Sequence, residues 1–142
     1  MKNQFLILLV FFTVTVTAQK IYRTKILDEN IKTLQIGVND DKYLIPIVEL
    51  KGSDVLRIRF DEMSHLAHSY SYTVRHCNAD WTESNLSTNE YLNGFTSGNI
   101  TDFSLSQITT FLYTHYKFEL PNTDISFKIS GNYVVLIYED NK

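Results

Sequence analysis

The chain has 142 residues, with 13 Lys and Arg against 16 Asp and Glu, and a formal charge of −3 when its four histidines are neutral. The two signs are interspersed, so there is no cationic field to hold nucleic acid, and that class is excluded. The length admits one domain with one core, and the lone cysteine, Cys77, has no partner within the chain.

Lys2 precedes an apolar run from Phe5 to Phe12, followed by Thr13-Val14-Thr15-Val16-Thr17-Ala18. This is the pattern of a secretory signal peptide over residues 1–18, with Val16 and Ala18 at the selective positions and cleavage after Ala18. The run is shorter than the ~20 apolar residues a spanning helix needs. The mature chain is therefore expected to be soluble and exported, and no cysteine follows the cut to carry a lipid. Residues 19–30 read as an N-terminal segment or edge strand, and residues 31–142 as a β-sandwich domain truncated at its C-terminal end.

Thr33 to Val38 alternates, with Leu34, Ile36 and Val38 on one face. Asn39-Asp40-Asp41 then predicts a turn whose side chains bond their own backbone. The chain is expected to double back through Tyr43 to Leu50 as an edge strand, because Pro46 cannot donate a ladder hydrogen bond. After a second turn at Lys51-Gly52-Ser53-Asp54, Leu56, Ile58 and Phe60 alternate with Arg57 and Arg59, the signature of an antiparallel strand with one wet face.

Asp61 to His68 reads as one helical turn or an irregular crossing, and Ser69 to Cys77 resumes period two. Regularity then lapses from Thr82 to Thr114. Within that stretch Ser87-Thr88-Asn89-Glu90 has capping-box spacing, with Leu86 and Tyr91 at the staple positions, which predicts a short helical turn closed by Gly94. Structureless loops of this length are uncommon in compact domains. Three aromatic anchors, Trp81, Tyr91 and Phe95, do not offset the entropy of ordering so much backbone. The segment either carries further backbone hydrogen bonding or is ordered by a partner, and the three rings are the candidate partner-binding residues.

His115 to Leu120 alternates, Pro121-Asn122 stops it, and Asn132 to Tyr138 is apolar on both faces, which predicts a central strand covered from two sides. Gly131-Asn132-Tyr133 at its start resembles the tyrosine corner of immunoglobulin-like domains, so Gly131 and Tyr133, with Gly94, are the expected structural residues. About seven short strands without a long amphipathic helix predict an all-β, antiparallel immunoglobulin-like sandwich with one long loop. The chain stops at Lys142 where a further strand would pair, so the last strand is expected to be missing.

His65, His68, His76, Cys77 and His115 bring a metal site to mind. Adjacent strand residues face opposite ways, so His76 and Cys77 cannot share an ion without a bulge, and two loop histidines lack the remaining ligands of a closed zinc site. No metal is expected; two solvated loop histidines and two hydrogen-bonded strand histidines are. Cys77 is either a buried apolar residue or a thiol paired outside the chain. No nucleophile elbow or phosphate loop is present, and Asp80 and Glu83 beside Trp81 are weak support for glycosidase chemistry. No catalytic residue and no cofactor are assigned.

Four blocks follow one another between Ile31 and Asp140: His76-Cys77-Asn78-Ala79-Asp80-Trp81; Glu90-Tyr91-Leu92-Asn93-Gly94-Phe95; Tyr113-Thr114-His115-Tyr116 with Phe118, Pro121 and Asn122; and Ser130-Gly131-Asn132-Tyr133. In this order they resemble the first domain of the type IX secretion system plug proteins. The resemblance implies a non-catalytic periplasmic protein of Gram-negative bacteria, associated with the outer-membrane translocon barrel, which closes the barrel's periplasmic opening when no cargo is crossing. Family members continue into further β-rich sequence, which accounts for the missing strand. The alternative is a carbohydrate-binding sandwich with Trp81, Tyr91 and Phe95 as a stacking platform.

Overall fold

Period-two alternation with one apolar face drives strands to pair into sheets and the sheets to close face to face. The computed structural model of the chain describes residues 20–140, so the leader expected at residues 1–18 lies outside the described residues. Nine strands and one helical turn follow in order: β1 (Ile31–Val38), β2 (Leu56–Glu62), β3 (Tyr70–Cys77), α1 (Thr88–Tyr91), β4 (Leu92–Gly94), β5 (Ser97–Ile100), β6 (Asp102–Leu105), β7 (Thr114–Leu120), β8 (Ile125–Phe127) and β9 (Asn132–Glu139).

One sheet runs β1-β2-β7-β6, the facing sheet runs β5-β3-β9, and β4 pairs with β8 in a small ribbon; every pairing is antiparallel. The clean alternation of β2 buries Ile58 and Phe60 and sets β2 against β7 in unbroken register from Leu56↔Leu120 to Glu62↔Thr114. Across the interior, Phe60 stacks on Tyr116 at 5.1 Å, and Tyr70 of the facing sheet meets both edge-on at 5.2 and 4.9 Å. Tyr72 stacks on Phe118 at 4.4 Å. Large rings at alternate positions on both sheets thus fill the middle of an all-β antiparallel sandwich of the immunoglobulin-like kind.

Four expectations are corrected. Residues 43–50 form no strand: Tyr43, Leu44, Ile45 and Ile47 are exposed, and β2 takes the place beside β1, with the Asn39 N–H donating to the Val55 carbonyl at 2.8 Å. Consecutive Leu44-Ile45 gives no single apolar face and Pro46 no donor, whereas β2 offers both.

The stretch from Thr82 to Thr114 is not a structureless loop, because β4, β5 and β6 lie within it. Separated from β6 only by Thr101, β5 pairs with β3 while β6 pairs with β7, so the chain crosses here from one sheet to the other. These short strands supply the backbone hydrogen bonds that three aromatic anchors could not.

The last strand is not central. β9 sits at the edge of its sheet and most of its residues are half-buried. An apolar pattern on both faces specifies two covered faces but not which neighbours stand beside the strand.

Gly94 does not close α1. The turn ends at Tyr91, and the next residue, Leu92, is extended at φ −122°. Gly94 instead sits in β4 at φ +89°, where a Cβ would fall 1.9 Å from the Asp124 carbonyl oxygen. Glycine is required here by close strand approach as well as by backbone sign.

Candidate functional site

The three candidate rings do not assemble. Trp81 lies in the turn after β3, held by the Asn78 N–H on the Thr82 carbonyl at 2.9 Å and the Trp81 N–H on the Asn78 carbonyl at 3.0 Å. Asp80 accepts from the Thr82 hydroxyl at 2.7 Å and the Thr82 N–H at 3.0 Å, and these bonds hold its carboxyl below the usual range. The turn puts Trp81 at φ +65° and leaves it 44% exposed. Phe95 follows Gly94 out of the ribbon and is 68% exposed.

Tyr91 goes the other way. It is 6% exposed, belongs to the core, and lies among His76 at 5.8 Å and Tyr133 at 6.2 Å. The capping box explains the inversion: the Ser87 N–H and hydroxyl both donate to the Glu90 carboxylate at 2.7 Å, which starts the turn and rolls its last residue inward. A three-ring sugar platform is therefore absent, since its middle ring is a core residue.

Tyr133 behaves as a tyrosine corner. Its hydroxyl donates to the Ile129 carbonyl at 2.8 Å and lies 3.3 Å from that of Tyr91, and burial pushes its pKa up to about 12. At Gly131 a Cβ would come within 2.3 Å of the His76 ring, so the missing side chain lets that ring pack edge-on to Tyr133 at 5.2 Å.

Titratable groups pair off locally. Arg57 on the outer face of β2 bonds Asp40 and Glu119, Arg59 bonds Asp40 at 2.9 Å, and Lys117 bonds Asp102 at 3.3 Å. The Arg57 guanidinium holds the Asp40 carboxyl below its ordinary range. These residues line a cleft of about 660 Å³ in which each cation is answered by a carboxylate.

The four histidines have four separate partners: His65 the Ser106 carbonyl at 3.2 Å, His68 Glu62 at 2.5 Å, His76 Ser84 at 2.9 Å and His115 Asp61 at 2.6 Å. The two loop histidines stay accessible to solvent, His65 exposed and the His68 side chain 39% exposed, while each also bonds the fold. Cys77 is buried, and burial pushes its thiol up, which disfavours the thiolate.

Two features escaped sequence reasoning. One is the exposed apolar strip at 43–50, with Tyr43 86% exposed, joined elsewhere on the surface by Ile108, Phe111 and Leu112. Its only signal was the failure of its apolar pattern to keep to one face. The other is a group of ligand-type atoms from Glu62, His68 and Glu139, all within 4.8 Å of one another. No local spacing announces a group that Glu139 joins from the far end of the chain.

A family model described as the type 9 secretion system plug protein 1st domain matches residues 31–142. A solved structure of a hypothetical protein from Parabacteroides merdae ATCC 43184 is similar to this chain at 42% identity with a TM-score of 0.82, over 85% of this chain and 30% of that one. The chain thus spans about a third of that protein's length. No curated protein matches.

Proposed function

The chain belongs to the family of type 9 secretion system plug protein first domains, and on that premise we propose that it is a non-catalytic stopper of the type IX translocon, covering the periplasmic side of the outer-membrane barrel. The family match across residues 31–142 carries this reading. Occlusion requires a folded body that does not deform as a pore presses on it, and a sandwich packed around stacked rings supplies one. It also requires a surface that prefers a partner to water. The apolar strip of Tyr43, Leu44, Ile45 and Ile47 has that character. Among the described residues no helix is long and apolar enough to cross a membrane. On this reading the protein is exported by its leader, works in the periplasm and meets the barrel from that side.

The test is a pull-down of the complete protein from outer-membrane extracts, comparing the wild type with Ile45→Asp, Ile47→Asp, Trp81→Ala and Phe95→Ala. These residues are exposed, so a lost partner reports the surface and not the fold. Recovery of the barrel by the wild type, reduced by charge in the strip, is the expected result. If the complete protein recovers no barrel, the stopper reading is wrong; if the barrel is recovered equally by all variants, the assigned surface is wrong.

A further inference from the structure

We propose that Glu62, His68 and Glu139 form a binding site for one divalent transition ion of the zinc class, fastening the two sheets together at one end of the sandwich. This inference is independent of the stopper reading. It rests on where three separate elements place their side chains. Glu62 is the last residue of β2 in one sheet, and Glu139 is the last residue of β9 in the other, opposite Tyr70 in the β3–β9 register. His68 lies in the irregular crossing that carries the chain from β2 to β3.

One oxygen of each carboxylate and the His68 Nδ1 lie within 4.8 Å of one another. Nδ1 stands 2.5 Å from Glu62 Oε1 and 3.9 Å from Glu139 Oε1. A tetrahedral ion with bonds of about 2.0–2.1 Å holds its ligand atoms about 3.3 Å apart. The observed separations bracket that value. Adjustment by about 1 Å is available to the His68 and Glu139 side chains, which are partly exposed, while Glu62 stays fixed.

Glu62 carries the argument. Its side chain is 4% exposed, so packing fixes both carboxylate oxygens in place, Oε1 beside His68 at 2.5 Å. The Tyr116 hydroxyl lies 3.2 Å from its Oε2, which turns Oε1 toward His68. A metal ligand is characteristically held by such an outer hydrogen bond.

Ligand type then selects the ion. Calcium and magnesium prefer all-oxygen shells, whereas one imidazole nitrogen with two carboxylates suits zinc, with the fourth position left to water. The partly exposed His68 edge gives the ion a way in.

The test is calorimetric titration of the metal-stripped full chain with zinc chloride, and separately with calcium and magnesium chloride, alongside thermal melts. His68→Gln and Glu139→Gln are the informative variants because both side chains are partly exposed and keep most of their shape; His115→Gln is the control. We expect one zinc per chain at micromolar affinity or tighter, weakened at least tenfold in each informative variant and unchanged in the control. Zinc should raise the melting temperature of the wild type and of the His115→Gln control alike, and at the same concentration raise it less in His68→Gln and Glu139→Gln, with all variants melting near the wild type in chelator. Absence of saturable zinc binding, equal binding by His68→Gln and Glu139→Gln, or loss of binding in His115→Gln would each overturn the site. Calcium binding as tight as zinc would overturn the ion class.

Discussion

Tyr116→Phe removes one oxygen from the centre of the molecule and leaves the ring stacked on Phe60 at 5.1 Å and edge-on to Tyr70 at 4.9 Å. That oxygen accepts from the His68 N–H at 2.8 Å, and its own proton is shared between the His68 carbonyl at 3.1 Å and the Glu62 carboxylate at 3.2 Å. A stranded buried N–H costs about 1–3 kcal/mol, and a hydrogen bond to a charged group contributes roughly 1.5–3 kcal/mol. One hydroxyl serves both partners, so the losses overlap and the substitution should cost about 2–4 kcal/mol. For a domain of this size that lowers Tm by roughly 8–15 °C. Urea unfolding followed by tryptophan fluorescence, checked by calorimetry, measures it, with exposed Tyr138→Phe as the control.

The pH dependence gives a second check. Burial raises the Tyr116 pKa from its ordinary 10.0 to about 12. A raised pKa means that its contribution is complete below pH 10 and is lost as pH rises toward 12. The phenylalanine variant has no such group, so the stability gap should narrow across that window. A cost under about 0.5 kcal/mol, equal to the surface control, would refute the claim that this hydroxyl serves both the His68 backbone and the Glu62 carboxylate.

Tyr91→Ala should cost about 3–5 kcal/mol by emptying a core position, whereas Phe95→Ala should stay within about 0.5 kcal/mol; equal losses in chemical denaturation would contradict the opposite burial of the two rings. Gly94→Ala forces a side chain into the left-handed region and onto the Asp124 carbonyl, so a loss of at least about 2 kcal/mol is expected, and an unchanged melting curve would dismiss the close strand approach. Cys77, buried with its thiol pushed up, should ignore a thiol reagent at pH 8 in the native protein and react fully once unfolded; rapid native labelling would show the thiol to be accessible. Ser87→Ala removes a hydroxyl partner that helps hold the Glu90 carboxyl below its usual range. A lowered carboxyl contributes above its unfolded pKa and loses that contribution as pH falls through the folded value. The variant's Tm should therefore fall less steeply than the wild type's below about pH 4, and parallel acid curves would remove Ser87 from the account.

The amino-acid sequence by itself determined where chain alternates, turns and caps. Leu56 to Phe60, Ser69 to Cys77 and His115 to Leu120 appear as strands because period two with one apolar face is a local property, written within a few residues. The Ser87 box and the Tyr133 corner were legible for the same reason, since each closes its contacts within four residues. Partnership was decided only by the tertiary structure. Residues 43–50 lost their place beside β1 to β2, Tyr91 turned into the core while Trp81 and Phe95 stayed out, and β9 took an edge. The convergence of Glu62, His68 and Glu139 belongs to this second class. Residues far apart in the chain meet only through the register of whole sheets, and that register is selected by burying the aromatic interior all at once, a competition among surfaces that no short window of sequence contains.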